Sequence, residues 1–362
     1  MSREDVIATP IADDKAGIGR APSGRSGSSM VSISHPSADV GVARSGAVTR
    51  LIWLVAVAVA LATALVSAAD RFWPGDMIAF FRPQLALATL VALAAALWLS
   101  RRMASVALAA LLAVNALPLF VLTVPTAASA ETGNLRILSA NLLFDNTTPE
   151  RFGAIVAELS PDIIVTQEAR YDWPDALRSL PGYRLVGQEE LKWNGNLVLS
   201  RYPMRARLVA DMPPSGNWLG GGPALRVEVD IPDRARPLVV YAIHSPTPRS
   251  AAAWQARNRY LDVLAERIAA EPEGTDVVLA GDWNTPVWSP AYGRTLVLSG
   301  LQASERSAWP AASRIFAGFG GINLGTPIDH VAVSKGIRVA AFSTGTAFNS
   351  DHLPVAADLN LP

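Results

Sequence analysis

No cysteine occurs anywhere in the 362 residues. Disulfides, thiolate nucleophiles and cysteine metal sites are thereby excluded, and nothing here depends on a reducing cytosol. Net charge is absent too, because 31 Lys and Arg balance 31 Asp and Glu. The balance is uneven along the chain: residues 1–130 carry 10 basic and 7 acidic side chains, and residues 131–362 carry 21 and 24. The longer part is therefore slightly acidic. It offers no basic stripe of the kind that neutralises a nucleic-acid backbone. Two catalytic signatures are also missing: GxSxG, which would mark a serine hydrolase, and GxxxxGK[ST], which would mark a P-loop.

What is present begins with a contrast in composition. Residues 1–47 are rich in Ser, Gly, Ala and Pro, with scattered charges and no apolar period, and read as a disordered tail. Within residues 48–128 lie three apolar runs, at about 51–69, 84–100 and 103–124. Each has the length of a transmembrane helix, and no soluble core helix needs that length without a charge. Basic residues in short loops set orientation. Arg44 and Arg50 precede the first run and Arg101-Arg102 separate the last two, so those ends and the tail are expected in the cytoplasm. Three spans then carry residues 131–362 to the other side of a multi-pass protein of the cytoplasmic (inner) membrane. The external loop "DRFWPGDMIAFFRP" balances two acids with two arginines, and its Phe72, Trp73, Phe80 and Phe81 suit a membrane interface. Arg101-Arg102, an apolar run and "AASA" before Glu131 also mimic a signal peptide with its cleavage site. Export of the last domain follows either way.

Residues 131–362 alternate strand and helix patterns. Buried strands are expected at "NLRILSANLL", "DIIVTQE", "GNLVLSR", "ALRVEVDI", "PLVVYAIH" and "DVVLAGD", with "DHVAVS" and "HLPVAADLNL" closing the chain. "TPERFGAIVAEL" reads as a helix capped by Thr148 with Pro149 at its first position, and "AAAWQARNRYLDVLAERIAA" as an amphipathic helix. Several strands follow one another directly, which points to an α/β (α+β) domain of packed sheets with helices outside.

Polar residues recur where these strands stop: Asn141, Glu168, His244, Asp282 and Asn284, then Asp329-His330 and Asp351-His352 at the starts of the last two. Three of the four histidines lie in this set. Each residue alone has a structural explanation: a capped turn for "GDWNTP", a core histidine for His244, a surface acid for Glu168. Jointly they would be costly if buried unpaired.

The ordered series "SANLL", "QEA", "SRYP", "HSPTP", "GDWN", "IDH" and "SDHLPV" resembles the endonuclease/exonuclease/phosphatase superfamily over nearly all of 131–362. The N-terminal runs resemble its membrane-anchored bacterial members. The resemblance implies a four-layer α/β/β/α sandwich with two face-to-face mixed sheets, and phosphoester cleavage dependent on a divalent metal, Mg2+ or Mn2+. It also implies roles that suit the residue types. Glu168, Asn141 and Asp351 would hold the ion, since a hard cation wants oxygen ligands. Asp282 would deprotonate water, while Asn284 and His244 donate to the phosphate. His352, oriented by Asp329, would be a charge-assisted donor; His330 is given no role. The expected partners are the bilayer and a phosphoester, with a lipid phosphate or pyrophosphate ahead of nucleic acid. A silent envelope scaffold is the non-enzymatic alternative. Trp218, Trp283 and Trp288 are expected as packing aromatics, or otherwise as an apolar lip.

Overall fold

The computed structural model describes residues 38–121, 133–187, 195–213, 221–305, 310–319 and 322–362. The chain divides into a leading unit, Met1–Ala47, and a main unit, Val48–Pro362. Most of the expected tail, the segment near 130 with its cleavage-site pattern, and Trp218 lie outside the described residues.

Four helices come first: α1 (Ala38–Ser67), α2 (Trp73–Ala79), α3 (Arg82–Trp98) and α4 (Arg102–Val121). α1 begins inside the segment expected to be disordered. No proline follows Pro36 there, so the helix of the apolar run propagates backwards. Among the described residues two stretches are long and apolar enough to cross a bilayer, Gly46–Ser67 and Arg102–Leu119. α3 has 17 residues and completes a third candidate only together with α2, from which it is bent by 73°. Leu54, Leu61, Leu97, Trp98 and Met103 point outward and are more than half exposed. Such an exterior suits lipid. Inside, Asn115 Nδ2 donates to Thr63 Oγ1 at 2.8 Å, a polar tie between helices whose packing surfaces are otherwise apolar.

The two ends of this bundle differ. Ile52, Ala56, Ala96, Ala104 and Leu108 pack together at one end. Val66, Ala79, Ala86 and Leu119 join the core of the C-terminal domain at the other. The end of α1, the start of α3 and the end of α4 thus meet that domain, and Arg50, Arg101 and Arg102 belong to the opposite end.

The C-terminal domain opens with β1 (Leu135–Asn141), α5 (Pro149–Leu159), β2 (Ile163–Gln167), α6 (Trp173–Arg178), β3 (Arg184–Gly187) and β4 (Leu197–Ser200). There follow β5 (Met204–Leu208), β6 (Gly222–Val229), β7 (Leu238–His244), α7 (Ala251–Ala269), β8 (Val277–Asp282) and α8 (Pro290–Ser299). The chain ends with β9 (Gln302–Ala303), β10 (Arg314–Phe319), β11 (Ile322–Thr326), β12 (Asp329–Val333), β13 (Arg338–Thr344) and β14 (Val355–Asn360). Pro149 opens α5 as expected. Thr148 does not cap it, because its hydroxyl bonds Asn146 Oδ1 at 2.8 Å instead.

One six-stranded sheet runs β13-β14-β1-β2-β4-β3, the other β5-β6-β7-β8-β12-β9, and β10-β11 forms a separate hairpin. Alternation along each strand assigns the faces. Ile137, Val165 and Val198 of the first sheet share a core with Val227, Val240, Val278 and Val331 of the second. Leu138 and Ile164 turn the other way, onto Phe152 of α5 and Trp173 of α6. Leu279 and Tyr241 turn onto Leu261 of α7 and Tyr292 of α8. The result is the expected four-layer α/β/β/α sandwich. Each fully buried aliphatic side chain in it contributes about 1.5–3 kcal/mol.

Among the described residues two strand pairs are parallel, β1 with β2 and β7 with β8. They lie in the middle of the two sheets, and their carboxyl ends share one rim, the usual place for a ligand in sheets of this kind. Gly281 is needed there: its φ is +147°, and a Cβ would stand 2.0 Å from the Ile243 carbonyl oxygen on β7.

Candidate active site

Asn141 ends β1, Glu168 follows β2, His244 ends β7 and Asp282 ends β8. Asp329 opens β12 and lies opposite Asp282 in the antiparallel register. His352 precedes β14. The strand ends therefore bring together what the sequence spreads over more than 200 residues. Asn141 Nδ2 donates to Glu168 Oε1 at 3.0 Å and to Asp282 Oδ2 at 3.1 Å. His244 Nε2 lies 3.7 Å from Glu168 Oε1 and 3.6 Å from Asp282 Oδ2. His352 Nδ1 bonds Asp329 Oδ2 at 2.8 Å, and its Nε2 faces Asp282 Oδ2 at 3.8 Å and Asp351 Oδ1 at 3.9 Å.

The electrostatics separate these groups. Burial works against a charged Glu168, but His244, the Asn141 amide and the Phe144 N–H outweigh it and hold the carboxyl below its ordinary range. Burial, reinforced by Asp329, pushes Asp282 up to about 6 despite the two histidines. His352 is pushed up to about 9: burial opposes its charge, and Asp329 and then Asp282 more than offset that. One contact pulls the other way. Arg314 Nη1 lies 3.0 Å from His352 Nε2, which asks for a neutral imidazole. Asp329 is buried and aligned on Nδ1, whereas the Arg314 charge is already met by Asp351 at 2.6 Å. The balance favours the imidazolium.

Glu168 and Asn284 have left-handed backbones, φ +59° and +45°. Strain of this kind collects at functional sites. Asn284 donates its backbone N–H to Asp282 Oδ1 at 2.8 Å and its amide to the Ser245 carbonyl at 2.9 Å, leaving one amide hydrogen. His330 turns away: Nε2 bonds the Thr285 carbonyl at 2.8 Å, the ring packs on Trp283 and Tyr292, and burial pushes its pKa down to about 4. Trp283 and Trp288 are buried. They are packing aromatics, and neither forms a lip, because the outer face of the second sheet has to be covered.

Two donor sets could take a cation. Ligand atoms of Asp282, Asp329 and His352 lie within 4.8 Å of one another. The proton that Asp329 keeps on His352 competes with a metal there. Glu168 with Asp351 is the second set; Asn141 presents Nδ2–H to Glu168, and its Oδ1 accepts the Leu143 N–H at 3.0 Å, so its amide would have to turn over to serve as a ligand. Burial raises the Asp351 carboxyl and Glu168 adds to that, while His352 and Arg314 oppose it; its Oδ1 is buried without a hydrogen-bond partner. A cation between the two carboxylates would relieve both conditions.

The sequence reading missed Arg314, which grips Asp351. It also missed Arg257 on α7, which donates to the Asn284 carbonyl at 2.9 Å and to Thr285 Oγ1. The only signal for Arg257 is its register on an amphipathic helix, where it falls on the buried face.

The chain belongs to the endonuclease/exonuclease/phosphatase family, whose family model matches residues 138–352. By class it is a metal-dependent phosphoester hydrolase. No curated protein matches the chain. Among solved structures, TDP2 from D. rerio, complexed with a single-strand DNA product, aligns with TM-score 0.53 at 15% identity over 62% of this chain and 98% of that one. The 3′ phosphatase NExo from Neisseria, bound to a product DNA hairpin, aligns with TM-score 0.51 at 19% identity over 62% and 99%. A conserved protein of unknown function from Enterococcus faecalis aligns with TM-score 0.51 at 17% identity over 63% and 100%. Identities this low establish the shared fold.

Proposed function

We propose that the protein is a membrane-anchored, divalent-metal-dependent phosphoesterase. It acts outside the cytoplasm on phosphoesters at the bilayer surface, a lipid phosphate or pyrophosphate. The hairpin β10-β11 carries this reading. At its start Arg314 touches His352 and Asp351. Two residues further along, Phe316 packs against Phe81 at the head of α3, with ring centroids 5.4 Å apart and planes tilted by 39°. Gln84 on α3 donates to the Gly325 carbonyl of β11 at 3.2 Å. Phe72, Phe81, Phe316 and Leu324 are each about half exposed and suit the depth of lipid headgroups. Arg50, Arg101 and Arg102 at the far end of the bundle favour a cytoplasmic location for that end.

In the reaction, Glu168 and Asp351, with Asn141, would hold Mg2+ or Mn2+, which when bound would supply Lewis-acid polarisation of the phosphoryl group. Asp282, with its raised pKa, orients a water opposite the leaving group and takes its proton. The remaining Asn284 amide hydrogen and His244 donate to the phosphate. His352, charged and oriented by Asp329, donates to the oxygen where charge accumulates.

The test presents full-length protein and magnesium with vesicles carrying a lipid phosphate or pyrophosphate, and with single- and double-stranded DNA. Turnover of the lipid is expected. Turnover of DNA alone establishes an exported nuclease, and none at all a binding or scaffold protein. A reporter active only outside the cytoplasm, fused after Pro362, is expected to be active; silence there overturns the orientation.

A further inference from the structure

Arg257 is fully buried, and all three of its guanidinium nitrogens donate hydrogen bonds. Nε donates to Asn258 Oδ1 at 2.8 Å, Nη1 to the Asn284 carbonyl at 2.9 Å and to Thr285 Oγ1, and Nη2 to Asp76 Oδ2. Burial lowers its pKa, and the nearby Asp76 charge opposes that lowering. Without Asp76 the charge would be buried and uncompensated.

Asp76 does not belong to the catalytic domain. It lies on α2, in the segment joining α1 and α3, yet it is wholly buried. Besides Arg257, its carboxylate accepts Trp254 Nε1 at 3.0 Å and Ser289 Oγ at 2.6 Å. All three donors come from the catalytic domain. The placement of α2 is tight: a Cβ on Gly75 would stand 2.0 Å from the Leu65 carbonyl oxygen of α1, and Trp73 Nε1 donates to the Pro248 carbonyl at 2.9 Å.

These contacts converge on one loop. Residues 283–289 leave β8 at Asp282 and enter α8, whose cap is Ser289. Asp76 holds the far end of the loop directly through Ser289. It holds the near end through Arg257, on the carbonyl of Asn284, whose backbone is left-handed. A sparsely populated conformation persists only where its surroundings over-determine it, and Arg257 is one of those constraints.

We propose that Asp76 is a positioning residue for catalysis. Through Arg257 it sets the Asn284–Thr285 turn, so that the segment between the membrane helices governs the geometry of the phosphate-binding amide. The proposal rests on the role given above to Asn284.

The test uses full-length protein in detergent or vesicles, with magnesium, p-nitrophenyl phosphate and the lipid-phosphate vesicles above. Asp76→Asn strands a buried charge and lowers thermal stability. Asp76→Asn with Arg257→Met removes both charges and is expected to recover stability. Arg257→Lys keeps the ion pair but loses the fork that reaches Asn284 and Thr285 together. Both the double variant and Arg257→Lys are expected to lose about tenfold to hundredfold in kcat with KM little changed. Amide exchange in 283–289 is expected to quicken in both. Return of kcat and exchange to wild-type values in either folded variant overturns the proposal. A wild-type protein that cleaves no phosphoester sinks the functional reading instead, and amide exchange still decides this one.

Discussion

Each sheet delivers a carboxylate to the rim, and their surroundings tune them in opposite directions. Glu168, from the end of β2, is drawn below the ordinary carboxylate range against the effect of burial, by His244, the Asn141 amide and the Phe144 N–H. Asp282, from the end of β8, is driven up to about 6 by burial and by Asp329, its partner across the β8–β12 register. Asn141 touches both, so distance does not separate them. The donors around each one do. A carboxylate that stays charged suits a cation, and one poised near neutrality suits a proton in transit.

Exchanging the second kind of carboxylate for an amide has the largest expected effect. Asp282→Asn should reduce kcat by about 10²–10⁴-fold with KM little changed, and remove the acid limb near pH 6 from the rate profile. The same substitution should raise the melting temperature at pH 7. A carboxyl whose folded pKa exceeds its unfolded value destabilises the fold as pH rises through that interval, and an amide does not. A variant that keeps turnover would make GDWNTP a structural turn after all.

Glu168→Gln should follow, with kcat/KM lower by about 100-fold at low magnesium and partly restored at high magnesium. Unchanged magnesium dependence would remove Glu168 from the ligand set. Asn284→Ala should cost about 2 kcal/mol of transition-state stabilisation, roughly 30-fold in kcat, measured by steady-state kinetics on folded protein. The smallest effect belongs to Asp329→Asn. Asp329 favours the charged form of His352, so activity that needs the imidazolium holds below about pH 9 and falls above it. Losing Asp329 should move that alkaline limb down toward 6.5. A limb that stays near 9 would show that another group sets it.

The strands that carry these residues were legible because both of their faces are covered. β7 and β8 read as short apolar runs ending in one polar residue, and β1 and β2 are mainly apolar with polar residues gathered toward their carboxyl ends. β5, with "MRARL", and β13, with "RVAAFST", are largely exposed edge strands and send no comparable signal. The site residues were legible as a set, through their position at strand ends. Arg314, Arg257 and Asp76 were not. An acid in a charge-balanced loop looks solvated, and nothing local marks Asp76 as the partner of an arginine 181 residues away. On α7 the one cue was register, which sets Arg257 on the buried face and leaves Arg267 exposed, but it names no partner.

The meeting of three helix ends with the catalytic core, through Val66, Ala86 and Leu119, has a mechanical meaning. A domain on a flexible tether explores a volume set by tether length. A domain fastened at three points to helices is held in one position relative to them. α3, with 17 residues, is about 26 Å long, slightly short of a hydrocarbon layer of about 30 Å. On the membrane-anchored reading, acyl-chain length becomes a dial. A thinner bilayer lifts Arg314 clear of the headgroups, and a thicker one draws the Phe316 edge of the hairpin down among them.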